Sequence, residues 1–277
     1  MAFHRFSQSP EFLRLIAGES RVDLARIALE LAADAYPGLD IRDYRDQIAE
    51  LAERIRPRCP KSVGVREVLG QINWVLFVEE EFRGNVEDYY DPRNSYLNEV
   101  LDRRLGIPIS LSVIYWSVAE SLGLTVAGAN VPGHFLLRIE DKQRTWFVDP
   151  YQSGAVMARE ICRRSLAEKF PNTEDLDAAL DTACPVIDVV ARMLRNLKAI
   201  YLKAGDFPSA VPIQRRLAAL RPLDPDEVRD LGVLGLKADR PDEVVGPLQA
   251  YLAANPEGDS EIAALLAAAR RGLAAWN

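Results

Sequence analysis

The sequence predicts an α+β domain followed by an all-α helical repeat. Three observations carry that expectation. Apolar residues recur at helical spacing up to Leu122, the period changes from 3.6 to 2 after Gly123, and helical patterning from Val186 onward repeats at an offset of 34 residues.

The helices come first. Leu24, Ile27, Ala28, Leu31 and Ala35 fall on one helix face, which Pro37-Gly38 stops. Asp40 is placed to cap the next helix, with Ile41, Tyr44, Ile48, Leu51 and Ile55 on one side and Pro57 and Pro60 beyond its end. A third helix is expected over 65–82, facing inward through Val68, Leu69, Ile72, Val75, Leu76 and Phe82. Residues 83–95 read as a polar, aromatic loop, in which Asp91-Pro92-Arg93-Asn94 is a turn and Ser95 caps a helix over 96–105. Gly106 ends that helix, and Pro108 suits the first turn of the next. Ile109, Leu111, Val113, Ile114, Trp116, Val118, Ala119 and Leu122 leave this helix apolar nearly all round, the pattern of a helix buried at a domain centre.

Three short strands follow, over 124–130, 134–140 and 144–148, with Asp141-Lys142 at the tip of the hairpin between the last two. Residues 156–185 return to helix and loop. Beyond Val186, Leu202-Lys203-Ala204 recurs as Leu236-Lys237-Ala238, Val211 as Val245, Ala219 as Ala253 and Pro222 as Pro256. That offset is the tetratricopeptide period, in which each helix pair buries its apolar face only by stacking on a neighbour. Two units are legible, with 260–276 as a capping helix; Gly246-Pro247 is an unusual pair inside a helix. The domains expected are therefore 1–185 and 186–277.

Composition narrows the function classes. With 48% hydrophobic and 27% charged residues, the chain is globular rather than disordered or fibrous. The net charge of −7 lies entirely before Val186, where 22 basic residues face 29 acidic ones, against 12 and 12 after it. An acidic domain argues against nucleic acid as a partner. The uncharged run from Leu105 to Ala119 is 15 residues, too short for a membrane span, and the start of the chain has no apolar signal core. Cys59, Cys162 and Cys184 are widely spaced and odd in number, which suits a reducing cytosol and inert, buried thiols. With His4 and His134 the only histidines, no structural zinc site is expected. No phosphate loop, dinucleotide fingerprint or basic-aromatic stripe is present, so no cofactor is expected. Glu79-Glu80-Glu81 with Asp88 and Asp91 could hold a hard cation, but a solvated acidic face is the simpler reading.

One constellation carries chemistry. A hairpin centred between Asp141 and Lys142 places His134 directly opposite Asp149, within reach of a carboxylate that fixes the imidazole tautomer. That is the base and orienter of a nucleophilic triad, or equally a structural pair that pins the hairpin. The nucleophile is missing. Ser110 sits in the first turn of the buried helix, where a serine either attacks a substrate or satisfies a backbone N–H, and no cysteine stands there.

Three stretches are long and specific: Gly84-Asn85 with 88–98, then Arg104 to Ser112, then Pro132-Gly133-His134-Phe135-Leu136 with Asp149-Pro150. They resemble the SirB-type bacterial family, in which a transglutaminase-like domain precedes tetratricopeptide repeats. The resemblance spans essentially the whole chain and is densest over 77–154. It implies a papain-like fold with a central buried helix and a small antiparallel sheet, and it gives His134 and Asp149 the histidine and aspartate roles. The cysteine of that superfamily would fall at or near Pro108, so the sequence departs from the pattern at the nucleophile. The resemblance implies a non-catalytic or divergent domain acting through protein binding or regulation, with a protein or peptide partner held by the repeats or by the cleft near His134. The alternative is a serine-dependent acyl transferase or hydrolase using Ser110, His134 and Asp149.

Overall fold

The computed structural model describes residues 6–60, 63–131, 133–142, 144–167 and 173–275, without the side chains of 173 and 174. His4, Pro132 and Trp276, singled out above, lie outside the described residues. The chain forms two compact units, Arg21–Val190 and Met1–Ser20 together with Ala191–Asn277.

The first of these opens with three helices, α2 (Leu24–Ala32), α3 (Ile41–Ile55) and α4 (Val65–Asn73), α1 belonging to the other unit. Asp23 and Asp40 cap α2 and α3 by accepting the backbone N–H groups of Arg26 and Arg42, each at 2.9 Å. The helix expected over 65–82 does not run through. After Asn73 it widens into a π-helical turn, Trp74–Glu79, which buries Val75 and Leu76 while Trp74 and Val78 stay exposed. The wider turn stacks Phe77 on Tyr115, with ring centroids 6.3 Å apart.

Strand β1 (Arg83–Gly84) pairs in parallel with β2 (Leu105–Gly106), and the loop between them carries α5 (Leu97–Arg103). This short ladder has no period to announce it. Tyr96, not Ser95, is the N-cap residue of α5, because the preceding turn Pro92–Asn94 is capped by Asp91 through the Arg93 N–H at 2.9 Å. Ser95 Oγ and Asn98 Oδ1 are buried and make no hydrogen bond among the described residues.

Helix α6 (Pro108–Ser121) is the centre of the unit: every residue from Pro108 to Trp116 is buried, as its all-round apolar sequence requires. Beside it lies an antiparallel sheet in the order β3 (Thr125–Ala129), β4 (Leu136–Glu140), β5 (Thr145–Asp149), β6 (Ala155–Ala158). The expected strands are each present but shorter, and β6 was read as helix or loop. Its four residues are all half-buried, so no alternation marks them. Leu136 and Phe147, on one face of the sheet, form a core with Cys162, Leu166, Leu176 and Leu180. These come from α7 (Arg159–Ala167) and α8 (Thr173–Asp181).

The other unit is helical: α1 (Pro10–Ile16), α9 (Val186–Ala204, which begins in the first unit), α10 (Phe207–Leu220), α11 (Pro225–Lys237), α12 (Pro241–Ala254) and α13 (Ser260–Ala275). Both ends of α10 and α12 differ by 34 residues, 207 to 241 and 220 to 254, which is the repeat seen in the sequence. Val228, Leu231, Val244, Leu248, Ile262 and Leu266 make the core of α11–α13. Arg216 of α10 is 1% exposed and packs on both Phe6 and Phe12, 5.0 and 4.7 Å from their ring centroids. Its Nη2 donates to Ser9 Oγ at 2.9 Å, so one buried cation holds the first segment of the chain onto α10.

Candidate functional site

His134 lies in the loop before β4, and Asp149 is the last residue of β5. Their side chains meet, His134 Nε2 to Asp149 Oδ2 at 2.7 Å, with 16% and 2% of the side chains exposed. The register that brings them together is not the one read from the sequence. Leu137 pairs with Val148 and Glu140 with Thr145, so continuing the ladder sets Asp149 opposite Leu136, two residues past His134. The Asp141 N–H donates to the Arg144 carbonyl at 3.0 Å, which moves the turn centre one residue along the chain. A slip of two preserves the face, because strand side chains alternate with a period of two. The contact is therefore diagonal and survives the error.

Asp149 has more partners than histidine alone. Its Oδ1 accepts from the backbone N–H groups of Tyr151 at 3.1 Å and Gln152 at 3.3 Å, capping the short turn Pro150–Gln152. Its Oδ2 accepts from Gln152 Nε2 at 3.0 Å as well as meeting His134. An ionised carboxylate has about four lone-pair sites, and here each oxygen serves two contacts. Tyr151 and Gln152 were missed in the sequence. The signal available was Asp149-Pro150, an aspartate before the proline of a first helical turn.

Two further chains of contacts fix this turn. The Tyr151 ring lies so close to Gly84 that a Cβ there would stand 2.2 Å from ring carbon Cε2. Gly154, at φ +73°, donates its N–H to the Asp149 carbonyl at 2.9 Å, and its own carbonyl accepts from Asn73 Nδ2 at 2.7 Å. Asn73 Oδ1 in turn accepts from the buried Tyr115 hydroxyl at 3.0 Å. Burial drives the Tyr115 phenol far above its ordinary pKa, so it remains a donor.

Ser110 is placed elsewhere. It is the third residue of α6 and fully buried. Its Oγ accepts the Ile107 N–H at 3.0 Å, donates toward the Asn94 carbonyl at 2.6 Å, and lies 3.2 Å from the Ile107 carbonyl. Among the described residues no hydrogen bond joins Ser110 to His134. Pro108 occupies the first helical position, as expected.

Cys162 is fully buried, and burial followed by the nearby Asp149 charge pushes its thiol up to about 12. Burial also raises the Cys59 thiol, against the opposing pull of Arg58. The acidic run is not a bare cation site. Glu79 pairs with Arg58 at 2.8 Å and Arg54 at 2.7 Å, and Glu80 pairs with Arg54 and with Arg104 at 2.7 Å. A cavity of about 400 Å³ lies in the repeat unit, lined by residues such as Ala218, Val228, Leu231 and Pro247, and does not include the His134–Asp149 pair.

Residues 42–195 match the transglutaminase-like superfamily, and residues 197–271 match the tetratricopeptide repeat. A UPF0162 protein of Xylella fastidiosa is 34% identical over 242 residues, 86% of this chain and 86% of its own. A UPF0162 protein of Pseudomonas aeruginosa is 28% identical over 206 residues, 72% of this chain and 73% of its own. F-box only protein 21 of Mus musculus is 32% identical over 171 residues, 59% of this chain and 26% of that protein. No solved structure gives a significant match.

Proposed function

The chain belongs to the transglutaminase-like UPF0162 family, and from that premise we propose that it acts through protein binding or regulation, its transglutaminase-like domain being non-catalytic or divergent. The observation that supports this most strongly is the commitment of Ser110 Oγ to backbone groups of Ile107 and Asn94 at the buried start of α6. A hydroxyl that already accepts from one backbone N–H and donates to a carbonyl is a helix-start residue, and extracting it would leave those groups unpaired. The Cys162 thiol, held protonated, is no substitute.

The reading takes 1–185 as the transglutaminase-like domain and 186–277 as the repeats. The repeats are the expected protein-docking element, with the surroundings of His134 as a second. The resemblance to the SirB-type family, carried by 84–85 with 88–98, 104–112, 132–136 and 149–150, is consistent with regulation. That a stretch similar to 59% of this chain makes up 26% of F-box only protein 21 is consistent with a module that serves within larger proteins. A cytosolic location suits the free thiols.

The His134–Asp149 bond of 2.7 Å keeps one alternative in play, a serine-dependent acyl transferase or hydrolase using Ser110, His134 and Asp149. An activity-based phosphonate or acyl probe on the full chain separates the two. Under the binding reading Ser110 is not labelled, and Ser110→Ala and His134→Ala leave the labelling pattern unchanged. A covalent adduct on Ser110 that disappears in His134→Ala would make the protein an enzyme. Replacing Cys59, Cys162 and Cys184 together by alanine is expected to leave any binding function intact.

A further inference from the structure

The loop between β1 and the turn at Pro92 combines two features that the binding reading does not use. Its inner side is a closed hydrogen-bonded frame. Asn85 Nδ2 donates to Asn94 Oδ1 at 3.1 Å, Asn85 Oδ1 accepts the Asp88 N–H at 3.1 Å, and Asn94 Nδ2 donates to the Asp88 carbonyl at 2.7 Å. Asn85, Asp91 and Asn94 are all buried, and Asp91 is clamped by Arg93 at 2.8 Å and Arg103 at 3.3 Å. Burial opposes ionisation of Asp91, but the hydrogen bonds and charges of these arginines outweigh it and hold its pKa below the ordinary value.

Its outer side is apolar and aromatic. Val86 is 79% exposed, Tyr90 58% and Tyr89 37%. The two tyrosine rings meet edge to face at 5.4 Å. In the sequence between Val86 and Tyr89 stand Glu87 and Asp88, both exposed, with no ion pair to their carboxylates among the described residues. Single exposed apolar residues need no explanation, but three within five positions on a rigid support form a patch. The support matters energetically, since a preformed loop loses little conformational entropy when a partner docks.

We propose that residues 86–90 form a docking surface for a basic protein segment, one that sets an aliphatic side chain against Val86 and Tyr90 and Lys or Arg against Glu87 and Asp88. Charge selects this occupant. The unpaired carboxylates and the net negative charge before Val186 attract cations and repel nucleic acid. Tyrosine is also a residue type enriched at binding hot spots. The proposal does not depend on whether the His134–Asp149 pair is catalytic.

The test is a titration of the full chain with labelled peptides of repeated Lys-Leu-Arg, Lys-Ser-Arg and Glu-Leu-Asp triplets. Lys-Leu-Arg is expected to bind best and Glu-Leu-Asp not at all. Tyr90→Ser and Val86→Ser, both at exposed positions, are each expected to weaken Lys-Leu-Arg binding about tenfold. Glu87→Gln with Asp88→Asn is expected to weaken it and to flatten its salt dependence. Asp43→Asn with Glu50→Gln changes the net charge equally at exposed sites of α3 and is expected to have no comparable effect. Absence of Lys-Leu-Arg binding would overturn the proposal, as would equal binding by the Tyr90 and Val86 variants or an equal loss in the α3 control.

Discussion

The start of α6 and the turn after β5 face the same backbone need within one unit, and they meet it with different side chains. Each begins with proline at the first position and leaves N–H groups without intrahelical partners. At α6 the need is met by Ser110, whose single oxygen is then fully engaged with Ile107 and Asn94. After β5 it is met by Asp149, whose second oxygen is still open to His134 and Gln152. A hydroxyl has one oxygen and a carboxylate has two. The same structural task therefore leaves the serine with no spare capacity and the aspartate with enough to orient an imidazole.

The comparison breaks most visibly at Asp149. Asp149→Ala removes a buried charge and strands His134 and two backbone N–H groups, so urea unfolding should show a loss of about 3–5 kcal/mol. If the loss is no greater than for Ser110→Ala, the carboxylate is not the more heavily used group. The repeat unit supplies an outside reference, a buried cation in place of a buried carboxylate. Arg216→Ala should cost about 2–4 kcal/mol, read by denaturant midpoint, with the loss of the Phe6 and Phe12 contacts seen as changed ring resonances in NMR.

Gly84→Ala tests the wall behind the turn. Its Cβ would meet the Tyr151 ring, so about 1–3 kcal/mol should be lost, and Tyr151→Ala in the same chain should recover part of it in a double-mutant cycle. Ser110→Ala should cost about 0.5–2 kcal/mol by the same unfolding measurement. A further effect concerns pH. The folded Cys162 thiol lies at about 12, above the ordinary thiol value. Its contribution to stability is therefore complete below the unfolded pKa and falls away as pH rises through the alkaline range toward 12. The melting temperature should decline less between pH 8 and 10 in Cys162→Ala than in the wild type.

Much of the fold was readable because it rests on local periodicity. The apolar run of α6 required burial on every side, and the 34-residue offset fixed the spacing of α10 and α12. The pairing of His134 with Asp149 was also readable, since an error of two in the hairpin register leaves both residues on one face. A one-residue error would have separated them.

What the sequence by itself determined, then, was each element whose residues answer to their near neighbours: helix faces, the Asp40 cap, the change of period after Gly123 and the helical repeat. Only the tertiary structure decided where bonds run between distant segments. It placed the Ser110 hydroxyl on Asn94, 16 positions away, and set Tyr151 against Gly84. It also joined β1 to β2, added β6 to the sheet and packed Arg216 on Phe6 and Phe12. A period records which side of an element is apolar. Which donor finds which acceptor depends on the close packing of side chains brought together from across the chain, and no local pattern encodes that choice.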